Sequence, residues 1–274
     1  MELIQTNTDI PIEPNMFAWR YMNLTKLISL LDQNELYFAR IDQFDDPLDS
    51  LPWQIIENIN LYRISRDPAV LEEIKKYQNS KFSKSELLEF QSGKYASCWH
   101  LSHASESESL AMWNSLSDSN TLAFVIPFSK LFDIISKSIV EFKDDEISAA
   151  MYGMVKYKYR VDRAFELIEN QGKQNNDRRI LEDSFYKLPE YNHENELRFI
   201  LKSKKTHLLN NRLGVRLKLT TPLKEMRSDI SIIIHPDMEY QLSKLVIRML
   251  AEINFTAQLS NIITKNNIKE IMTD

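Results

Sequence analysis

The sequence predicts an α+β fold: a single domain, residues 1–274, with a central, mostly antiparallel sheet flanked by helices. Three observations carry this. Short strand-like runs are expected at 16–21, 35–40, 95–99, 121–127, 153–159 and 194–201. Amphipathic stretches at helical spacing separate them irregularly, without the regular repeat of a doubly wound sheet. Composition is that of an ordinary folded domain, with 43% hydrophobic and 27% charged residues.

Met16 to Tyr21 (MFAWRY) reads as a short aromatic strand carrying Arg20. Asn23 is placed to cap a helix whose Leu24, Leu27, Ile28 and Leu31 fall on one face. Glu35 to Arg40 (ELYFAR) reads as a second strand, entering the acidic turn FDDPLD, Phe44 to Asp49. Three aspartates in a turn can ligate a divalent cation, or cap a helix and satisfy turn backbone. A mostly helical insertion is expected at about 51–92, with Ser83 and Glu86 as a capping box and Gly93 as a stop. Tyr95 to Trp99 is a strand, and His100 and His103 are expected in the Ser-rich loop after it. Two histidines three apart, without a further nearby His or Cys ligand, do not define a zinc site.

Thr121 to Pro127 is nearly all apolar, the composition of a strand buried on both faces. Phe128, Leu131, Phe132, Ile135 and Ile139 then share a helical face. Gly153 to Arg160 alternates Met154, Lys156 and Lys158 with Val155, Tyr157 and Tyr159, a strand with a basic face. The polar tract Gln171 to Arg178 reads as a connection within the domain, since its flanks show no shift in composition. Val215 to Leu219 and Ile230 to Ile234 are further strands, and Pro236 is expected in the first turn of a helix through Glu252.

The chemistry-bearing stretch is Lys187 to Lys202, KLPEYNHENELRFILK. In a strand, Glu194, Glu196 and Arg198 share one face and Leu197, Phe199 and Leu201 the other. Two carboxylates about 7 Å apart beside a guanidinium can hold sugar hydroxyls, stabilise a cationic transition state or bind a metal. The plainer alternative is a half-exposed strand whose charges face water.

Other classes are bounded by composition. Lys and Arg number 34 against 39 Asp and Glu, a net charge of -5, which argues against broad electrostatic binding of nucleic acid. Cys98 is the single cysteine, so an intrachain disulfide and a CxxC zinc site are both excluded. The four glycines, Gly93, Gly153, Gly172 and Gly214, build neither GxGxxG nor a P-loop. Any bound phosphate must be held by side chains or a helix N-terminus. No apolar run reaches the roughly 20 residues that span a bilayer, and the first residues lack a signal-peptide pattern. A cytoplasmic location, with no membrane partner, is the expectation.

Three blocks resemble a bacterial family, domain of unknown function 2971. They are WRYMNLTKLISLLDQNELYFARIDQFDDPLD, SCWHLSHASESESLAMWNSLSD and EYNHENELRFI, with IIIHPDM similar to the family's closing part. Departures occur at Trp19-Arg20-Tyr21, where the family shows Tyr-Lys-Tyr, at Asp45, where it shows Asn, and at Trp99-His100, where it shows Phe-Ser. The family's layout is in turn similar to compact ADP-ribosyltransferases, which implies an ADP-ribosyltransferase-like fold and NAD as substrate. By that analogy Glu196 would bind the ribose 2'-hydroxyl, Glu194 would orient or deprotonate the acceptor, and Arg20 would hold a phosphate or ribose. Tyr21, Trp99, His100, Trp113 and Arg198 complete the expected cofactor-binding set, with no metal.

The implied function is cleavage of NAD and transfer of ADP-ribose to a macromolecular acceptor, protein or nucleic acid, as a toxin or phage-defence effector. An inhibitory partner protein belongs to the same reading. Two alternatives stand beside it. One is a metal-dependent nuclease using Asp45, Asp46 and Asp49 with Glu194 and Glu196. The other is a non-catalytic ligand-sensing or partner-binding module. Arg20 and Glu196 are expected to face one cleft, lined by Trp99, His100 or Trp113, whereas a local ion-pair role has Glu194 and Glu196 engage only neighbouring strand or surface charges.

Overall fold

The structure, a computed structural model, describes residues 1–46, 49–50, 68–69, 72, 93–103, 108–115, 118–144, 146–158, 183–204, 212–264 and 266–267. The expected insertion at 51–92, its capping box and the tract Gln171 to Arg178 lie outside the described residues, apart from three isolated positions in the insertion.

Ten strands form one sheet of mixed but mostly antiparallel pairing. In chain order these are β1 (Leu3–Gln5), β2 (Met16–Asn23), β3 (Glu35–Arg40), β4 (Lys94–His103), β5 (Thr121–Pro127) and β6 (Ile147–Met154), with β9 (Glu196–Ser203), β10 (Gly214–Lys218), β11 (Ser231–Ile234) and β12 (Thr256–Leu259). β7 (Lys156–Tyr157) and β8 (Tyr186–Lys187) form a separate parallel ribbon. The main path runs β1-β6-β9-β4-β2-β5-β11-β12. β1 with β6 and β11 with β12 are its parallel pairs.

The sheet forks at β4. The first half of that strand pairs with β3 through Tyr95 and Ala96, and its second half pairs with β2 from His100 to His103. β4 pairs with β9 along its other edge from Lys94 to His100. Because side chains alternate across a strand, these registers assign every residue to a face. One face carries Ala18, Met22, Leu101, Phe124, Leu197, Phe199 and Leu201, which pack against helices α1 (Leu24–Gln33), α3 (Phe128–Glu141) and α4 (Tyr240–Glu252) in the main core. The other carries Trp19, Tyr21, Cys98, His100, Glu196 and Arg198. A short helix, α2 (Leu110–Ser115), lays Trp113 on this second face.

Local chemistry explains the element ends. The Asn23 side chain accepts from the Lys26 N–H and starts α1, as its sequence position implies. Asn34, with φ of 52°, closes the helix, and its amide reaches the Leu219 carbonyl at 3.0 Å. Glu239, not Pro236, caps α4: its carboxylate accepts from the Gln241 and Leu242 N–H groups. Pro236 lies in the turn before the helix, a correction to its expected place in the first turn.

Three further boundaries differ from expectation. His100 and His103 belong to β4 and not to a loop, because β2 supplies a ladder for the longer strand. The strand expected at 153–159 divides into the end of β6 and the separate β7, since β9 pairs only with Ile147 to Met154; residue 159 lies outside the described residues. Glu194 precedes β9 in a 3-10 turn, Pro189–Glu194, which Asn195 ends with φ of 36°.

Candidate functional site

The polar face is built from β9 outward. Arg198 is fully buried, yet each of its five N–H donors has an acceptor. Nε and Nη2 donate to Glu196 Oε1 and Oε2 at 2.7 and 3.0 Å. Nη1 and Nη2 donate to Asp49 Oδ1 and Oδ2 at 2.8 and 2.6 Å, and Nη1 also reaches the Ser184 carbonyl at 2.6 Å. A planar guanidinium gripped by two carboxylates in this fashion is fixed in position.

Lys187 enters from the β7–β8 ribbon. Its Nζ lies 2.5 Å from Glu194, 3.2 Å from Glu196 and 3.8 Å from Asp49. Tyr157, from the same ribbon, accepts the Glu196 backbone N–H on its hydroxyl at 2.9 Å. Three carboxylates therefore meet two cations. Gly153, opposite Arg198 on β6, completes the enclosure: a Cβ there would meet the Thr6 carbonyl oxygen at 2.6 Å.

The two glutamates are driven apart electrostatically. Burial pushes the Glu196 carboxyl up, but the Arg198 and Lys187 charges outweigh it and hold it well below the usual carboxylate range. Glu194 goes the other way: burial, with the charge of Glu196 beside it, raises its carboxyl above the usual range despite Lys187. Cys98, opposite Arg198 on β4, is pushed well up, first by burial and then by Glu196. Glu194 also keeps a wetter side chain, 22% exposed against 6% for Glu196.

His100 stands opposite Glu196 in the ladder, and its Nδ1 lies 2.7 Å from the Glu194 carbonyl oxygen. A carbonyl only accepts, so Nδ1 carries the proton. Beside it lie the aromatic rings. The Tyr21 centroid is 6.4 Å from His100, 6.4 Å from Trp19 and 4.8 Å edge-on from Trp113.

The fold thus gathers six of the eight expected site residues, Tyr21, His100, Trp113, Glu194, Glu196 and Arg198. Arg20 and Trp99 are not among them. Arg20 follows Trp19 and precedes Tyr21 on β2, so it projects from the helix-covered face. There it plugs the fork, donating to Ser97 Oγ at 3.1 Å and the Tyr37 carbonyl at 3.0 Å, with its guanidinium 5.4 Å from the Trp99 ring. Burial pulls Arg20 down to about 10, which leaves it charged at neutral pH. The expectation that Arg20 and Glu196 face a common cleft is therefore overturned by strand alternation.

Lys187, Ser184 and Tyr157 lie outside every expected set, and Asp49 lies outside the transferase set. Asp49 had been placed in an acidic turn as a metal candidate, and its carboxylate instead grips Arg198. Among the described residues, no group of His, Cys, Asp and Glu is arranged to hold a metal ion, and no helix is long and apolar enough to cross a membrane.

No family model matches the chain, and no curated protein matches it. The resemblance drawn from the three sequence blocks stands on those blocks alone.

Proposed function

We propose that the polar face carries out glycosidic transfer from NAD, with Glu194 as the acid–base carboxyl and Glu196 as a fixed negative charge behind it. One observation carries this reading: Lys187 lies against both carboxyls, but Arg198 grips only Glu196, an asymmetry that drives the two proton affinities apart. Such a division is how one site supplies both a proton-transferring group and a permanently ionised one. When the bond from ribose to nicotinamide breaks, positive charge develops on the ribose carbon and ring oxygen. With Glu194 ionised as the base, three carboxylates stand against two cations, and that net negative charge favours the developing positive charge more in the transition state than in the ground state.

The roles differ from those implied by the resemblance. Both Glu196 oxygens already face Arg198 or Lys187, so Glu196 acts through its field and not by contact with a ribose hydroxyl. Glu194, being more exposed, is the carboxyl that meets the acceptor. Arg20 has no part, and phosphate binding falls to groups other than it. The acceptor is a macromolecule, with a toxin or defence role as the biological counterpart.

A second reading has its own observation. An arginine with five satisfied donors is also what a purely structural ion cluster requires, and it favours a non-catalytic ligand-binding module. The nuclease alternative has two of its five carboxylates engaged elsewhere, since the Asp49 and Glu196 oxygens are turned onto Arg198. Incubating the protein with labelled NAD and cell extract separates these readings. Transfer to a macromolecule that falls about 10²-fold in Glu194→Gln, at unchanged melting temperature, is the expected result. Wild-type protein that neither binds nor consumes NAD ends the enzyme reading. EDTA-sensitive nucleic-acid cleavage would restore the nuclease.

A further inference from the structure

His100 and His235 carry opposite tautomers. The Nδ1 of His100 donates to a carbonyl, so a second proton on that ring leaves the bond in place. The Nδ1 of His235 instead accepts from the Asp237 N–H at 3.0 Å. It therefore holds no proton, and the neutral ring carries its hydrogen on Nε2. Protonating His235 sets two donors face to face, and this bond must break.

Other contacts gather around that bond. His235 begins the turn that leads into α4, closed by the Met238 N–H on the His235 carbonyl at 3.0 Å. The Asp237 carboxylate accepts from the Thr264 hydroxyl, and the Asn267 amide donates to the Pro236 carbonyl at 3.0 Å. The turn thus anchors the chain that follows β12. On its other side the half-buried His235 ring lies 5.1 Å edge-on from Trp113. Trp113 in turn packs 4.8 Å from Tyr21 on the polar face.

We propose that His235 is a proton-operated latch: neutral, it holds the turn that anchors Thr264 and Asn267; protonated, it releases them and displaces Trp113 on the polar face. Once Nδ1 carries a proton, the Asp237 carboxylate is drawn to it and away from Thr264. The change is local. Ser260 keeps its N–H on the Ile234 carbonyl at 3.2 Å and its hydroxyl on Glu108, so the β11–β12 pairing and the chain up to Ser260 stay in place.

Burial lowers the proton affinity of the ring below the ordinary 6.5. It outweighs Asp237 in the same turn, Asp118 in the turn before β5 and the Trp113 main chain, all of which act to raise it. The latch therefore opens in mildly acidic solution. Because the folded value is depressed, stability is full above 6.5 and falls as pH drops from there to the folded value, where the unfolded chain takes the proton first. None of this depends on NAD transfer.

The test is a pH titration of the full chain followed by NMR, reading the His235 ring, the Trp113 indole N–H and the Thr264 amide. At neutral pH the His235 ring should show an unprotonated Nδ1. On acidification the Trp113 and Thr264 signals should shift with the midpoint of the His235 ring itself. His235→Asn keeps an acceptor oxygen near the place of Nδ1 and takes up no proton, so it should abolish both shifts. Relative to that variant, the wild-type folding equilibrium should fall by up to about tenfold per pH unit across the window. Glu194→Gln removes the carboxyl of raised proton affinity on the polar face, and the shifts should survive it. A neutral ring protonated on Nδ1, or Trp113 and Thr264 signals that ignore the His235 titration, would overturn the proposal. So would equal shifts in His235→Asn or their loss in Glu194→Gln. The first two outcomes are read on wild-type protein and stand even if a variant fails to fold.

Discussion

Arg20 and Arg198 occupy opposite faces of one sheet and meet opposite environments. Arg198 is enclosed by Asp49 and Glu196, whose charges raise its proton affinity even though burial acts against it. Arg20 is enclosed by a serine hydroxyl, a backbone carbonyl and a tryptophan ring, and burial lowers its affinity. The first is an ion cluster that fixes the geometry of the polar face; the second seals the fork in the sheet. Burial by itself therefore says little about what a charged residue does, and the partners it meets decide.

The largest expected effect tests the cluster side of this contrast. Arg198→Met should cost about 3–5 kcal/mol in chemical denaturation, because Asp49 and Glu196 are left buried without their cation. A loss below about 1 kcal/mol would remove the distinction between the two arginines.

Glu196→Gln should cost roughly 2–4 kcal/mol at neutral pH. Its dependence on pH has a definite sign. The folded carboxyl is depressed, so its contribution is present above the ordinary value of 4.5 and fades as pH falls toward the folded value. The gap between wild type and variant should therefore narrow in denaturation measured below that value. A gap that stayed constant with pH would mean that shape and not charge is what the residue supplies.

Arg20→Met should cost about 1 kcal/mol. It deletes the donor to the Tyr37 carbonyl, while Ser97 Oγ still receives the Trp99 Nε1 donor at 3.0 Å. Transfer activity should not change, and a large fall in it at intact stability would put Arg20 back into the mechanism.

The smallest stability effect is expected at Glu194. Its raised carboxyl contributes stability below its unfolded value, and that contribution is lost as pH rises through the folded one. Glu194→Gln should thus change neutral-pH stability by no more than about 0.5 kcal/mol. A loss comparable to that of Glu196→Gln would make the two glutamates equivalent and end the division of labour between them.

Much of the fold was legible because strand and helix periods are written locally. β2, β3 and β5, α1 with its Asn23 cap, and α3 all follow from alternation or helical spacing in their own residues. β6 was shifted because Ile147 to Met154 (ISAAMYGM) lacks clear alternation, and its pairing with β9 holds it in place. The site was half legible. Glu196 and Arg198 share a face by local spacing, and Tyr21 reaches that face by the same alternation that sends Arg20 away from it. Asp49 and Lys187 carried no local signal for the roles they take.

By itself, the sequence determined which residues alternate, where α1 begins, and that charged groups are concentrated around Glu194 to Arg198. Only the tertiary structure decided that β9 is central, with β6 on one edge and β4 on the other, so that its charges are buried. It also decided that Asp49 and Lys187 neutralise them and that Arg20 faces the other way. The physical reason is range: side-chain period is set by neighbouring residues, whereas the identity of a buried charge's partner is set by contacts between segments far apart in the chain.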